Sequence, residues 1–492
     1  MPTGAERLAA RVKSRQVTPI TWVVDWLLRS RLGSRLFLIA GSAAVPGAAM
    51  HALSQGGEAP VSGLAHLIVM AAASSIAAFA SIALAVAGVR GRDGRSLISG
   101  GAFGAMTLLL VIHGLSTPGI LLGPNGLISL AGGSALPVGG ALLALAALPS
   151  LRRTDSLRTP SVAIVAFLAL IAAGGAAAFV NPSIVPKLPT AGSPTAVGFL
   201  AVGMTFFLIV AQRAVRTYTL TRRASDLVVV VGVTWLGFAL VPALLLQPGS
   251  FAWWTGHACE LLGVALVGVP IALDLHRGRP SHPVVGDLPA AELVAGQEAF
   301  LGPRVRALMV RLGEKDRSTE EHTRRVAELA VAIGDELGLA PGRMRELALG
   351  GLLHDMGKLA VPDAILRKPG ALTDEEFAAI RRHPGDGDEL LADLGFSTRI
   401  RRMVRGHHER LDGSGYPDGL RGDEIDLETR ILAVADVYDA LVSPRVYRDA
   451  WPVPRALALL REEAGVGFDA RCVEALERIV GGVGEPELRL AA

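Results

Sequence analysis

Cysteine is almost absent from this sequence, with two residues in a chain of 492. Cys259 lies in an apolar stretch and Cys472 lies near the C-terminus, so the chain has neither a disulfide framework nor a CxxC metal motif. The shortage of thiols indicates a reduced, intracellular setting for the C-terminal half. Acidic residues are also scarce before residue 285, although the whole chain balances 48 Lys and Arg against 45 Asp and Glu. The net charge of the whole chain is therefore the sum over two regions of different charge composition. Neither DNA nor RNA is an expected partner.

Long hydrophobic runs, in contrast, fill the first half of the chain. Hydrophobic residues make up 51% of the sequence, which is too much for a wholly soluble protein of this length. Most of the runs reach the ~20 residues that a helix needs to cross ~30 Å of hydrocarbon. The eight runs lie at 36–53, 64–89, 97–115, 126–149, 160–180, 194–212, 226–246 and 252–274. Because backbone polar groups cannot stay unpaired in lipid, they predict an N-terminal polytopic transmembrane helical bundle over residues 36–276.

The distribution of Lys and Arg predicts the orientation of these helices. Basic residues lie in an arm at 1–35, in the loops near 90–96, 150–159 and 213–225, and at Arg277 and Arg279. The alternate loops hold only Lys187. The N-terminus and the C-terminal region are therefore expected in the cytoplasm, on one side of the bacterial inner membrane. A cleaved signal peptide is the alternative for the first run, but that run has no clear A-x-A site.

The basic cytoplasmic arm also contains an amphipathic segment. Residues 17–28 include Trp22 and Trp26, and Arg29 and Arg31 follow. This composition fits an interfacial helix that lies on the lipid bilayer. An ordinary flanking segment is the alternative interpretation of the same residues.

After Pro280 the composition becomes charged and periodic. We predict a linker and connecting region at 277–314, with one helix from Ala290 to Leu312. Residues 315–485 follow as a series of helices large enough to bury their own core. An apolar i, i+4, i+7, i+11 stripe at Val326, Ala330, Ile333 and Leu337 is typical of a packed helix. The sequence therefore predicts an all-α cytoplasmic domain.

Helix boundaries in this domain are marked by local signals. Thr373 followed by Glu376 predicts a capping box that opens a helix running toward His383. A short apolar run ends at His354 and Asp355, and an imidazole beside a carboxylate is costly to bury unless both are paired or coordinated.

Further histidines and an acid lie before and after that pair. They are His322, His383, the tandem pair His407 and His408, and Asp436 within an apolar run. Any one of these residues alone is more often a hydrogen-bonded structural residue than a ligand. The whole set indicates a metal centre, because so many buried ionisable groups need a common partner.

The donor types indicate which metals the centre binds. Imidazoles and carboxylates without thiolates suit Fe or Mn, whereas structural zinc usually recruits cysteine. Seven ligands exceed what one ion uses, so two divalent metal ions bridged by Asp355 are the economical interpretation. Two ions ~3.5 to 4 Å apart can bridge a phosphate and generate hydroxide for in-line attack. The residues therefore predict phosphoester hydrolysis.

A glycine-rich loop follows the tandem histidines. Gly413, Gly415 and Gly419 permit positive φ and close approach of the backbone to a ligand. Tyr416, before Pro417, adds an aromatic face and a hydroxyl. A tight connecting loop is the alternative interpretation.

Together these residues resemble the HD-GYP family of cyclic di-GMP phosphodiesterases, a branch of the HD metallohydrolases. The resemblance covers residues 315–455 and rests on His354-Asp355 with Gly357-Lys358, the stretch 361–366, His383, His407-His408-Glu409, Gly415-Tyr416-Pro417, and 430–448 with Asp436, Asp439-Ala440-Leu441, Arg445 and Tyr447-Arg448. It implies hydrolysis of cyclic di-GMP to linear pGpG, GMP or both. A homodimer is also expected.

The resemblance assigns a role to each matching residue. The implied metal ligands are His322, His354, Asp355, His383, His407, His408 and Asp436. Asp355 and Lys358 would be catalytic. The implied substrate contacts are Lys358, Gly413, Tyr416, Pro417, Arg445 and Arg448. Of these, the lysine and the two arginines would hold the substrate phosphates.

Two positions depart from the family pattern. Some members hold a third metal ion through a glutamate four residues before the first ligand histidine, where this chain has Ser318, so two ions are expected. Val446 stands where the family commonly has proline, which loosens the loop but removes no ligand.

Two other functions stay open. One is hydrolysis of another cyclic dinucleotide, such as the mixed guanine-adenine compound, and the other is a non-hydrolytic nucleotide receptor, which predicts lost ligands.

Four histidines of the membrane region fall at similar depth near the outer leaflet. They are His51, His66, His113 and His257, each from a different predicted helix. Ionisable residues in a membrane are costly and often functional, so the four can form a ligand site for a metal ion or haem iron. A ligand held there would regulate the C-terminal domain through the connecting helix. The alternative is that each histidine lies near a helix end, where water tolerates it.

Overall fold

The computed structural model describes residues 31–57, 62–90, 93–148, 157–185, 191–276, 288–316, 319–368, 370–444 and 449–482. The amphipathic segment predicted at 17–28 lies outside these residues. The chain divides into two compact units between Asp287 and Leu288. The described residues of both units form helices and turns without a β-strand, which confirms the all-α prediction.

In the residues that the structure describes, the first unit, called the membrane unit below, contains eight helices that are long and apolar enough to cross a membrane. They are α1 (Arg31–Leu53), α2 (Gly63–Arg90), α3 (Gly94–Leu115), α4 (Leu127–Ala146), α5 (Arg158–Val180), α6 (Pro194–Thr221), α7 (Ala224–Leu245) and α8 (Phe251–His276). Each helix matches one predicted apolar run. Hydropathy was sufficient here because backbone pairing leaves few alternatives to a helix in lipid.

Helix α6 is longer than its apolar run indicates. The run ends at residue 212, and a loop was predicted over 213–225, but the helix continues to Thr221. Its 28 residues correspond to ~42 Å, which exceeds the hydrocarbon thickness of ~30 Å. Arg213 and Arg216 therefore lie within the helix. Long cationic side chains can extend along a helix to reach the interface, so they do not end it.

Side-chain size determines which faces of these helices pack. Gly232 of α7 and Gly263 of α8 lie opposite each other, and a Cβ on either would come within 3.0 Å of the other's carbonyl oxygen. Small residues at such a crossing let two helix backbones approach closely. Large apolar side chains of α5, in contrast, stay exposed, with Val165 at 66% and Leu170 at 69%. An apolar surface of this kind is stable against lipid rather than water.

The second unit begins at residue 288 and consists of shorter helices. They are α9 (Ala290–Phe300), α10 (Pro303–Lys315), α11 (Thr319–Glu336), α12 (Pro341–Leu353), α13 (Asp363–Leu366), α14 (Asp374–Arg381), α15 (His383–Asp393), α16 (Thr398–Gly406), α17 (Leu427–Val442), α18 (Val453–Glu462) and α19 (Ala470–Gly482). Short 3₁₀ turns lie at Met356–Ala360 and Gly422–Glu424. Helices α11, α12 and α17 pack against one another at the centre of this unit.

The single connecting helix predicted from Ala290 to Leu312 is wrong. The structure has two helices, α9 and α10, separated at Leu301 and Gly302, which both have extended backbone conformations. Pro303 explains the break, because proline disfavours the helical conformation of the preceding residue and cannot donate its own backbone hydrogen bond.

Two further local predictions are confirmed. The capping box forms as expected, since the Thr373 hydroxyl accepts from the Glu376 N–H and the Glu376 carboxylate accepts from the Thr373 N–H. Val326, Ala330 and Ile333 of the predicted stripe are fully buried on α11. Leu337, its last predicted member, follows the end of the helix and is half-buried. Helix α11 therefore presents one apolar face to the core and leaves its first turn free to supply a side chain to the site.

Candidate metal centre

The ends of four helices meet beside the middle of a fifth. His322 lies in the first turn of α11, His354 follows the last residue of α12, His383 begins α15, His407 follows the last residue of α16, and Asp436 lies within α17. The structure thus brings together all seven predicted ligands, namely His322, His354, Asp355, His383, His407, His408 and Asp436. Six of the seven residues are buried, and His408 is partly exposed.

Three of these histidines are held by the same local contact. His354 Nδ1 lies 2.8 Å from the Gly351 carbonyl oxygen, and His407 Nδ1 lies 2.6 Å from that of Val404. His383 Nδ1 makes the equivalent contact with Ile380, at 2.7 Å. A carbonyl oxygen only accepts, so each Nδ1 carries the proton and each neutral ring keeps an Nε2 lone pair. A helix end also leaves its last carbonyl groups without helical partners, which is why these positions suit histidine.

His322 is oriented by a carboxylate instead. Its Nδ1 lies 2.7 Å from Asp439 Oδ2, and its Nε2 lies 3.1 Å from Asp436 Oδ1. Arg325 holds the same Asp439 through two hydrogen bonds. A carboxylate behind a ligand histidine is the usual second contact of metal sites, where it fixes the ring and raises its basicity.

Several ring nitrogens that could bind a metal ion face one another with no other group between them. His383 Nε2 and His407 Nε2 are 3.2 Å apart, although both rings donate through Nδ1. His354 Nε2 is buried and has no hydrogen-bond partner in the part of the chain that the structure describes. Asp355 lies between His354 and His383, with Oδ2 3.6 Å from His354 Nε2 and Oδ1 3.5 Å from His383 Nε2. Converging lone pairs around one carboxylate fit divalent cations, which would satisfy every one of these atoms.

The protonation states of the site fit the same donor set. Burial alone would raise the pKa of the Asp355 carboxyl, but the Lys358 ammonium and the surrounding imidazoles outweigh burial and hold that pKa well below its usual range. Burial and the neighbouring imidazoles hold the pKa of His407 well below its ordinary value, and burial lowers the pKa of His408 to about 4. At neutral pH the site therefore offers an ionised carboxylate at Asp355 and neutral imidazoles at His407 and His408, which are the ligand forms that metals require. His322 differs, because burial would lower its pKa but its hydrogen bonds to Asp436 and Asp439 outweigh burial and raise that pKa to about 9.

The half-buried Lys358 side chain places a positive charge at the edge of this centre. Its Nζ lies 2.7 Å from Asp355 Oδ2, and its side chain is 18% exposed. The charge of Asp355 keeps the Lys358 pKa above its ordinary value although burial opposes this. Lys358 is therefore a fixed positive charge beside the metal ligands, in reach of solvent.

The glycine-rich loop is held in place by one buried carboxylate. Glu409 accepts hydrogen bonds from the backbone N–H groups of Asp418, Gly419 and Leu420, at 2.7, 3.1 and 3.0 Å. Gly413 has a φ of 78°, in the left-handed region that favours glycine. The loop is thus folded around a residue whose role was not predicted, although its place directly after the tandem histidines was a usable signal.

Replacing Glu409 with glutamine tests this function of the carboxylate. The amide keeps one acceptor oxygen and loses the charge, and hydrogen bonds to charged groups contribute roughly 1.5–3 kcal/mol each. We expect backbone amides 418–420 to exchange with deuterium at least ~30-fold faster, which corresponds to ~2 kcal/mol. Glu424→Gln is the control, since the Glu424 carboxylate is exposed and accepts only from Arg421 N nearby. Equal exchange in both variants would contradict a role of Glu409 in holding the loop.

Tyr416 contacts the metal centre from this loop. Its ring lies 4.8 Å from the His408 ring, and the Arg381 guanidinium lies 4.6 Å from the centroid of the tyrosine ring. The sequence predicted that Tyr416 offers an aromatic face and a hydroxyl to a ligand, and that role stays a prediction. In the structure the ring packs against two side chains and helps to orient His408.

Not all predicted contacts can be placed. Gly413, Tyr416 and Pro417 lie in the loop next to His408, whereas Arg445, Arg448 and Ser318 lie outside the described residues. In the membrane unit, His66, His113 and His257 come together, whereas His51 is exposed and does not join them. Asp439 was missed as the partner of His322. Its spacing of three residues from Asp436, which puts both on one face of α17, was the available signal.

Comparison with known proteins identifies similar sequences for part of the second unit. Residues 308–472 match the family model described as HD domain. The chain is 46% identical over 168 residues to the cyclic di-GMP phosphodiesterase response regulator RpfG of Xanthomonas campestris pv. campestris, which covers 33% of this chain and 44% of that protein. It is 43% identical over 180 residues to cyclic di-GMP phosphodiesterase PA4108 of Pseudomonas aeruginosa, covering 36% and 43%.

A third relative is named for a different substrate. The chain is 38% identical over 190 residues to the 3'3'-cGAMP-specific phosphodiesterase 3 of Vibrio cholerae, covering 39% of this chain and 41% of that protein. The chain thus spans less than half the length of each of these three relatives. This protein therefore carries, after eight candidate membrane-spanning helices, an HD domain similar to those of cyclic dinucleotide phosphodiesterases.

Proposed function

We propose that this protein is a metal-dependent phosphodiesterase that hydrolyses cyclic di-GMP to pGpG, GMP or both. The observation that carries the proposal is the convergence of seven buried or half-buried ligand side chains, with His354 Nε2 unpartnered and His383 Nε2 3.2 Å from His407 Nε2. The relatives from Xanthomonas and Pseudomonas, which are cyclic di-GMP phosphodiesterases by name, support this substrate.

Six of the seven residues form two separate groups, and the Asp355 carboxylate lies close to both. His322, His354 and Asp355 have ligand atoms within 4.8 Å of one another, and so do His383, His407 and His408. This division supports two divalent ions, Fe or Mn, with Asp355 between them. Divalent ions bound to such ligands polarise a phosphoryl oxygen and supply hydroxide near neutral pH.

The protein's own side chains then bind and orient the substrate. Lys358 would donate hydrogen bonds to a phosphate oxygen and offset the negative charge that develops there. Tyr416 would keep the His408 ring in position, and Glu409 would keep the glycine-rich loop at the mouth of the site. Burial of the donor atoms excludes bulk water, which strengthens these electrostatic contacts.

Replacing Lys358 with methionine should separate binding of metal from catalysis. Methionine keeps the length of the side chain but not its charge, so we expect kcat to fall by ~10²–10³-fold, as for the loss of one charge-stabilising donor. Elemental analysis should find the metal content unchanged. If the ions are lost as well, Lys358 has a structural role through Asp355.

The number of ions is a separate prediction. Replacing both His354 and Asp355 with alanine should remove two ions per chain relative to the unaltered protein, because the group around His322 loses two members and the group around His383 loses the carboxylate that would bridge the ions. Elemental analysis of anaerobically purified full-length protein measures the difference. A loss of three ions would contradict the expectation that follows from Ser318.

The substrate is tested directly with the full-length protein in detergent. It is incubated with Mn²⁺ or Fe²⁺ and, in parallel, with cyclic di-GMP, 3'3'-cGAMP and cyclic di-AMP, and products are separated by chromatography. Fastest turnover of cyclic di-GMP supports the proposal. Fastest turnover of 3'3'-cGAMP favours the substrate of the Vibrio relative. Binding without turnover identifies a receptor. We also propose an inner-membrane location with a cytoplasmic HD domain, which fractionation and protease protection of bacterial membranes test. A homodimer regulated by the membrane unit is tested by the oligomeric state in detergent and by comparing the activity of the full-length protein with that of the isolated HD domain.

A further inference from the structure

Three imidazoles meet inside the membrane unit, far in sequence from the HD domain. His66 of α2, His113 of α3 and His257 of α8 offer ring nitrogens within 4.8 Å of one another. All three side chains are buried. His66 Nε2 and His113 Nε2 are 3.1 Å apart, and the ring centroids of His66 and His257 are 5.0 Å apart. Three separate helices thus bring donor atoms to one point.

Each of these rings has an oxygen partner at Nδ1. His113 Nδ1 donates to the Ile128 carbonyl oxygen at 2.7 Å. His66 Nδ1 lies 2.8 Å from Thr117 Oγ1, and His257 Nδ1 lies 3.5 Å from Glu260 Oε2. A ring held at Nδ1 presents its Nε2 lone pair, which is the arrangement found in metal-ligating histidines.

One of the three Nε2 atoms has no hydrogen-bond partner. His257 Nε2 is buried and unpaired among the residues that the structure describes. A hydrogen bond between His66 and His113 can satisfy those two rings without a metal, but it leaves His257 Nε2 unsatisfied, which costs free energy in an apolar environment. A single cation at the common point satisfies all three nitrogens.

The packing around the rings keeps them in place and keeps water out. A Cβ at Gly132 of α4 would lie 2.6 Å from His113 Nδ1, so the absence of a side chain there gives the imidazole its position. Trp253 and Trp254 close the site, with ring centroids 4.3 and 5.6 Å from that of His257. An apolar shell of this kind limits solvent access to a bound metal.

We propose that His66, His113 and His257 bind one transition-metal ion of the class that prefers imidazole, such as Zn²⁺ or Cu²⁺. Two nitrogens ~2.0–2.1 Å from a tetrahedral ion are ~3.3 Å apart, close to the separation of the His66 and His113 nitrogens. Glu260 is a positioning residue, which orients His257 and offsets the charge of the ion. Haem iron held between His66 and His113 does not fit, because the 3.1 Å between their Nε2 atoms leaves no room for a porphyrin.

The test uses full-length protein in detergent and does not depend on hydrolytic activity. His354→Ala and Asp355→Ala are introduced first, so that the ions of the HD domain do not contribute. After dialysis against Zn²⁺ or Cu²⁺, elemental analysis should find one ion per chain. Cu²⁺ should also quench tryptophan fluorescence, because Trp253 and Trp254 lie against the site.

Single variants in this background decide the proposal. His257→Leu removes no hydrogen bond from Nε2, so the protein should keep its helix content but lose the ion and the quenching. His51→Leu, which changes an exposed histidine, should alter neither. Glu260→Gln should weaken affinity by ~10–100-fold, as changes behind a ligand histidine do. If His257→Leu keeps the same ion content and the same quenching, the proposal is overturned. If His257→Leu does not fold, an unchanged metal affinity in Glu260→Gln overturns it instead.

Discussion

Replacing Asp355 with asparagine should reduce phosphodiesterase activity by at least ~10³-fold. The carboxylate lies between the two groups of ligands and approaches His354, His383 and Lys358 with its two oxygens. The amide keeps the shape of the side chain but removes the negative charge that offsets the charge of the ions. Metal ions contribute several kcal/mol to transition-state stabilisation in such sites, and each 1.36 kcal/mol is tenfold in rate. Initial rates of cyclic di-GMP hydrolysis measure the effect.

The matched control is Asp388→Asn. Asp388 is also a largely buried aspartate of the second unit, but it pairs with Arg401 rather than with a metal ligand. We expect this variant to keep its metal content and to stay within a few-fold of full activity. If Asp355→Asn retains comparable turnover, the centre of catalysis lies elsewhere.

Adding one methyl group at Gly357 should have the second largest effect. A Cβ there would lie 2.6 Å from Gly387 N and would also overlap the backbone carbonyl of His383. Backbone atoms cannot rotate away, so the 3₁₀ turn and α15 must separate. That movement displaces Asp355 and Lys358 relative to His383. Because a misplacement of ~1 Å can cost ~10²-fold in rate, we expect Gly357→Ala to lose at least that much activity, together with bound metal.

Gly385→Ala is the control for this prediction. Gly385 lies two residues after His383 on the same helix, and a Cβ there would meet only the end of the Arg405 side chain, at 3.6 Å. Alanine is also the better helix former by ~1 kcal/mol. This variant should therefore be as active and at least as stable as the unaltered protein. Similar losses in both glycine variants would show that the close approach at Gly357 is not the cause.

The helices of the membrane unit were predictable because lipid leaves the backbone few choices. Their ends were harder, as α6 shows, since hydropathy reports where a run stops being apolar and not where a helix ends. The break between α9 and α10 carried a usable signal in Pro303, but the helical period across it masked that signal. Caps such as Thr373 with Glu376 were predictable, because both partners lie within one turn.

The HD centre was largely predictable because its ligands occur as adjacent or motif-spaced residues. What sequence could not supply is which nitrogen of each ring faces inward, since this depends on carbonyl groups that only the folded helix ends bring into range. In the membrane unit, depth indicated four histidines, but depth does not determine rotation about a helix axis. His66, His113 and His257 face one another, and His51 does not.

The two helices before the HD centre also determine where this domain can be cut. Leu293 and Val294 of α9 and Val305 and Leu312 of α10 are buried, and these helices pack on α11 and α12 or on the 3₁₀ turn that carries Lys358. Burial of four such side chains contributes about 6–12 kcal/mol, which equals the whole stability of many domains. A soluble fragment beginning at residue 308 or 315 would therefore lack part of its own core, whereas one beginning at Leu288 would keep it.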